Sequence, residues 1–172
     1  MNIFIILKYI FSFLGAMFLI ISTFSKKKDK TLTIQTVNVA CDSIAAIFAG
    51  SFTSVSSNVI SAIRNIVCIK IKNKIIPMIV FTTAIAVFGF LVNRSELIGL
   101  LPVFASILYT IWIFVGKSPV WINIGIFINV TLWAIHNFYF TLYPSFVANI
   151  VVLIFCIINI IRTYNKERKM KK

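Results

Sequence analysis

Charge is the first shortage. Only 12% of the 172 residues are charged, four are acidic, and there is a single histidine. A soluble domain carries about 25% charged residues, so a soluble enzyme is excluded. No HExxH segment and no nucleophile beside a base occurs, so no catalytic residue is nominated and the chain is read as a non-enzyme. Cysteine is also scarce: Cys41, Cys68 and Cys156 lie singly inside apolar stretches. That count and spacing exclude a disulfide framework and offer no Cys/His metal site, and no metal or cofactor is expected. What is abundant is apolar: 60% of residues are hydrophobic, 15% are aromatic, and mean hydropathy is +1.00. The composition is that of an all-α integral membrane protein. A net charge of +13 would suggest nucleic acid in a soluble protein. Here the lysines and arginines mostly sit in short runs between apolar stretches, where they report topology, so no nucleic-acid partner is expected.

A hydrocarbon core of about 30 Å takes roughly 20 apolar residues per helix, and seven stretches qualify. They run from Ile3 to about Phe24, Thr31 to Ala49, Phe52 to Ile71, Ile75 to Val92, Leu97 to Val115, from just after Pro119 to Tyr139, and from Tyr143 to Ile161. The first has its basic cluster after the apolar run and no small-x-small cleavage site, so it reads as a retained helix. The single membrane domain divides into a three-helix bundle over 3–73, a linking helix over 75–92, a second bundle over 97–162, and a basic tail over 163–172.

With seven spans, the loops after helices one, three and five share a side with the C-terminus. That side collects Lys26, Lys27, Lys28, Lys30, Lys70, Lys72, Lys74, Lys117, Arg162, Lys166, Arg168, Lys169, Lys171 and Lys172. Only Lys8 and Arg94 fall on the other. The asymmetry predicts an outer N-terminus and a cytoplasmic C-terminus, with the tail beside anionic lipid.

Shifting the chain by about 92 residues lays the first three helices on the last three, leaving the fourth between them. This 3+1+3 pattern predicts parallel repeats, a known transporter plan with its site between the halves. Four segments add a resemblance: Ser61-Ala62-Ile63-Arg64-Asn65, Leu100-Leu101-Pro102-Val103, Trp133-Ala134-Ile135-His136-Asn137-Phe138 and Asn159-Ile160-Ile161-Arg162. In these the chain resembles the YgjV family, which implies a multi-pass protein of the bacterial inner membrane. Its 3+1+3 plan is also similar to the SWEET, PQ-loop and PnuC-like transporters. The Pro-Gln pairs of PQ-loop proteins are absent, and Pro102 has Ile10 at its repeat-equivalent position.

Ionisable side chains inside spans are costly and suggest function; the sequence places Asp42, Arg64 and His136 there. Asp42 and Arg64 lie on adjacent antiparallel helices at depths about 8 Å apart. They read either as a buried pair holding two helices together or as charges facing a solute, with Arg64 suited to a carboxylate or phosphate. Trp133, His136 and Asn137 recur at i, i+3 and i+4 and share a helix face. That face reads as a binding wall for a polar solute or as an interfacial aromatic belt. The Ser51–Asn58 stretch reads as close helix packing or as cavity lining, and Asn123, Asn129, Asn149 and Asn159 are further candidates. Pro102 predicts a kink in the fifth span.

The function expected is a small-solute transporter or facilitator working by alternating access between the bundles. Its site would hold Arg64, Trp133, His136, Asn137 and Asp42, with membrane lipid and a small polar solute as partners. The alternative is a structural or accessory membrane protein. A homodimer is compatible with the sequence and not required by it.

Overall fold

The structure is a computed structural model that describes residues 3–23, 28–70, 75–94, 97–115 and 119–170. The basic residues Lys26, Lys27, Lys72, Lys74, Lys117, Lys171 and Lys172 lie outside them. Among the described residues there are seven α-helices: α1 Ile3–Thr23, α2 Lys28–Phe48, α3 Phe52–Lys70, α4 Ile75–Val92, α5 Leu101–Val115, α6 Pro119–Tyr139 and α7 Tyr143–Met170. Five contain stretches long and apolar enough to cross a membrane: Ile3–Ser22, Lys30–Phe48, Phe52–Lys70, Ile75–Val92 and Tyr143–Arg162. Leu97–Trp112 and Ile124–Tyr139 are shorter apolar helical segments.

The fifth span begins differently from the sequence expectation. A 3-10 turn, Leu97–Leu100, precedes α5, so Pro102 is the second residue of the α-helix. Pro102 therefore sits in the first turn of α5, where a proline is tolerated because first-turn amides lack α-helical acceptors. Fifteen α-helical residues rise about 22 Å and four 3-10 residues about 8 Å. Together they match the roughly 30 Å core that α5 alone would not span.

Two turns are built alike. After α2, Gly50 takes φ 75°, and after α6, Thr141 takes φ 55°. Gly50 N donates to Ile47 O and Ser51 N to Ala46 O; Thr141 N donates to Phe138 O and Leu142 N to Asn137 O. Each is a Schellman closure around a left-handed residue, and every donor and acceptor recurs 91 positions later. The helices α2 and α6, each of 21 residues, also start and end 91 residues apart.

The helices close a ring. α1 packs on α2, α2 on α3, α5 on α6 and α6 on α7; α1 also meets α7, and α3 meets α5. The first helix of each triad thus touches the third helix of the other. Outside this seam, α4 bridges α3 and α5. Its Gly89 lies so close to Val103 that a Cβ there would collide with it, and Ile85, Leu100 and Val103 form a small apolar cluster at that contact.

Polarity is arranged inside out for a soluble protein and correctly for a bilayer. Large apolar side chains such as Phe13, Ile79, Phe88, Leu91 and Ile154 are exposed. The buried residues of α3 are all polar or charged: Thr53, Ser54, Ser57, Asn58, Ser61, Arg64 and Asn65. Spaced three and four apart, they form one stripe facing inward while Val59, Ile63 and Ile66 face outward.

Candidate functional site

The inward stripes enclose a cavity of about 260 Å³. Its lining comes from α1, α2, α3, α5, α6 and α7 and includes no residue of α4. On α2 the lining positions include Gln35, Asn38, Val39 and Asp42; on α6 they include Ile126, Asn129, Val130 and Trp133. On α3 they are Asn58, Ser61, Arg64 and Asn65; on α7 they include Asn149, Val152, Phe155 and Cys156. These are eight pairs of positions, each pair separated by 91 residues. Three pairs are identical: Asn38 with Asn129, Val39 with Val130, and Asn58 with Asn149.

The two charges do not pair with each other; each ties one triad to the other. Asp42 Oδ2 accepts from Asn38 Nδ2 at 2.8 Å, and its Oδ1 accepts from Ser145 Oγ of α7 at 2.9 Å. Asn38 also donates to Gly15 O at 3.0 Å, and Ser145 Oγ lies 2.8 Å from Ser12 Oγ. A Cβ at Gly15 would collide with the Asp42 carboxylate, so the missing side chain is what lets α1 approach. Arg64, 4% exposed, donates from Nη1 to Thr110 Oγ1 of α5 at 2.7 Å. Its Nη2 and Nε donate to Asn65 Oδ1 at 3.0 and 3.3 Å, and the guanidinium carbon lies 5.4 Å from the Tyr109 ring centre. The depth difference estimated from sequence is thus not closed by an ion pair; serine, threonine and asparagine oxygens and amides serve each charge where it stands.

Of the five residues singled out in the sequence, Asp42, Arg64, Trp133 and Asn137 line this one cavity, and His136 does not. Fully buried, His136 places Nε2 2.8 Å from Ser51 Oγ and Nδ1 3.2 Å from Asn137 Oδ1. An amide oxygen only accepts, so in this arrangement Nδ1 carries the proton and Nε2 accepts from the serine hydroxyl. Phe140 stacks on the ring at 4.6 Å. The histidine pins α6 to the α2–α3 turn and stands behind the site. The reason is angular: at about 100° per residue, Ile126, Asn129, Val130, Trp133 and Asn137 fall within one arc, and His136 lies just past its edge.

Sequence reasoning missed Asn38, Asn65, Gln35, Tyr109 and Phe155 as lining residues. For Asn38 a signal existed: at a shift of 91 it meets Asn129, and Asn58 meets Asn149, whereas a shift of 92 hides both matches. Of the further asparagines, Asn129, Asn149 and Asn159 line the cavity, while the side chain of Asn123 lies outside the described residues. Several lining amides lack partners. Asn58 Nδ2, Asn149 Nδ2 and Asn129 Oδ1 are buried with no hydrogen bond from the protein, an arrangement that costs about 1–3 kcal/mol per atom unless something fills it. Among the described residues, no three of His, Cys, Asp or Glu come together to hold a metal.

A family model described as Imp-YgjV, bacterial inner membrane protein, matches residues 6–167. The chain belongs to that family and is a protein of the bacterial inner membrane. No curated protein and no solved structure matches it.

Proposed function

For this member of an inner-membrane family, we propose transport or facilitated passage of a small solute. Two parallel three-helix repeats, α1–α3 and α5–α7, rock about the cavity between them, and α4 serves as the link that keeps both in the same orientation. The N-terminus faces outward and the C-terminus lies in the cytoplasm, as the lysine and arginine asymmetry favours. The observation that carries the reading is the lining of the cavity from matching positions of both halves, where a site at a repeat interface belongs. Four of the five nominated residues, Asp42, Arg64, Trp133 and Asn137, contribute to the site, and His136 supports it from behind.

A structural or accessory role is the second reading, favoured by the Asp42–Ser145 and Arg64–Thr110 hydrogen bonds that hold the triads together. The unfilled amides weigh against it, because a packing protein gains nothing from buried donors without acceptors. The test is counterflow in proteoliposomes preloaded with a mixture of sugars, amino acids, vitamins, nucleosides and organic acids. Selective exchange read by mass spectrometry, lost in Arg64→Gln, supports transport. Retention of every solute by folded, correctly inserted protein would move the chain to the accessory reading.

A further inference from the structure

The two halves of the cavity match in position and differ in chemistry. Where the first half places Asp42 and Arg64, the second places Trp133 and Phe155 at the equivalent positions. One wall is therefore charged and the opposite one aromatic. The hydrogen-bond acceptors of Arg64, Asn65 Oδ1 and Thr110 Oγ1, are both neutral. A guanidinium carries five N–H groups, and three are engaged in these bonds, which leaves two for a ligand. A buried arginine with no carboxylate on it among the described residues calls for an anion, which its planar fork binds bidentately.

Along α3, Asn58 lies six residues from Arg64, a rise of about 9 Å. Asn58 Nδ2 and the equivalent Asn149 Nδ2 lack acceptors, while Asn129 Oδ1 lacks a donor. A group that both accepts and donates satisfies such a set, and a hydroxyl does so. The volume bounds what lies between. An apolar cavity of about 150 Å³ holds benzene, so 260 Å³ accommodates one ring with substituents. Asp42 lines the same space, and its negative charge opposes a dianion more than a monoanion.

We propose that the cavity binds a small hydroxylated monocarboxylate with an apolar or aromatic body. The carboxylate sits on Arg64, the ring lies against Trp133 and Phe155, and the far hydroxyl meets Asn58, Asn149 and Asn129. This deepens the transport reading and rests on it only for the passage of the solute, since binding is measured separately.

The experiment is a thermal-shift titration of the detergent-solubilised full chain with 4-hydroxyphenylacetate, phenylacetate, 4-hydroxyphenylacetamide and phenyl phosphate. The expected order is 4-hydroxyphenylacetate strongest, phenylacetate weaker, and no saturable shift with the neutral amide. Arg64→Gln loses affinity by about tenfold or more, the size of a charged hydrogen bond, and Arg64→Lys retains part of it. Because Arg64→Gln also breaks the bond to Thr110, Asn58→Ala and Asn149→Ala provide a second line. Each removes an amide nitrogen that has no protein partner, and, with shifts measured from each variant's own empty melting temperature, the advantage of the hydroxylated ligand shrinks. Equal shifts from the carboxylate and its amide, or wild-type affinity in Arg64→Gln, overturn the proposal. So does tighter binding of phenyl phosphate, which would assign the arginine to phosphate, or no shift from any probe at millimolar concentration. Carboxylate binding without counterflow sinks transport and leaves the ligand assignment standing. Counterflow of a neutral solute without carboxylate binding does the reverse.

Discussion

At the scale of single residues, the partners of Asp42 and Arg64 decide how their mutations combine. Asp42 is coupled to Ser145 through a direct hydrogen bond, and Arg64 to Thr110; no partner is common to both charges in these networks. Side chains in one network show interaction energies of about 0.5–3 kcal/mol, whereas independent sites add to within about 0.5 kcal/mol. A double-mutant cycle of Asp42→Asn with Ser145→Ala should therefore be strongly non-additive in thermal or denaturant unfolding. The cycle of Asp42→Asn with Arg64→Gln should be nearly additive, and exchanging the two residues should rescue neither. Strong coupling in the second cycle would mean that the charges meet within the first triad, against the separate networks that hold Asp42 to Ser145 and Arg64 to Thr110. Sequence spacing identified both charges as inward facing and in need of explanation. It did not reveal their partners, because Ser145 and Thr110 lie 103 and 46 residues away and carry no charge to advertise the contact.

At the scale of elements, the paired turns after α2 and α6 separate backbone strain from packing. Gly50 sits at φ 75°, where a Cβ would meet nothing within 4 Å. Gly50→Ala should still lower stability by about 1 kcal/mol, because the left-handed region penalises any Cβ. Thr141 holds the equivalent place at φ 55° with a branched side chain that tolerates it poorly. Its hydroxyl explains its presence: Thr141 Oγ1 accepts from Lys8 Nζ at 2.7 Å. Thr141→Asn should stabilise, since asparagine tolerates this conformation and supplies an acceptor for the lysine. Thr141→Gly relieves the strain but strands Lys8, and should gain less than Asn; melting temperatures of the three variants check the order. A larger gain from glycine would mean that the lysine contact contributes nothing. Hydrophobic runs made α4 legible at Ile75–Val92 and the start of α7 at Tyr143, but not the end of α7, which winds on to Met170 through the basic residues after Ile161 where apolar character has stopped. The 3-10 opening of the fifth span was not legible, because a run from Leu97 to Val115 reads as one apolar stretch whatever its winding. Nor was the shift of 91: most of the matched lining pairs differ in residue type, so segment lengths alone left the alignment uncertain by one position.

For the whole molecule, the repeat and the charge asymmetry make one geometric claim between them. In the proposed arrangement three crossings and a linking helix return the chain to the same side, with α1, α3, α5 and α7 running in one direction and α2, α4 and α6 in the other. The Lys8–Thr141 hydrogen bond agrees with this, since it joins the start of α1 to the turn after α6. If positive charge sets orientation, that end of the bundle faces outward with the α4–α5 connection, and the loops after α1, α3 and α5 face the cytoplasm. The check uses cysteines introduced singly at Asn93 and Lys72, with Cys41, Cys68 and Cys156 replaced by alanine. In sealed cells, a membrane-impermeant maleimide should label position 93 and not position 72, and lysis should expose position 72. The reverse pattern would invert the bundle and place the basic tail outside, where anionic cytoplasmic lipid offers it no hold. Labelling of both positions in sealed cells would break the alternation of seven crossings and remove the parallel repeat on which the rocking of two triads depends.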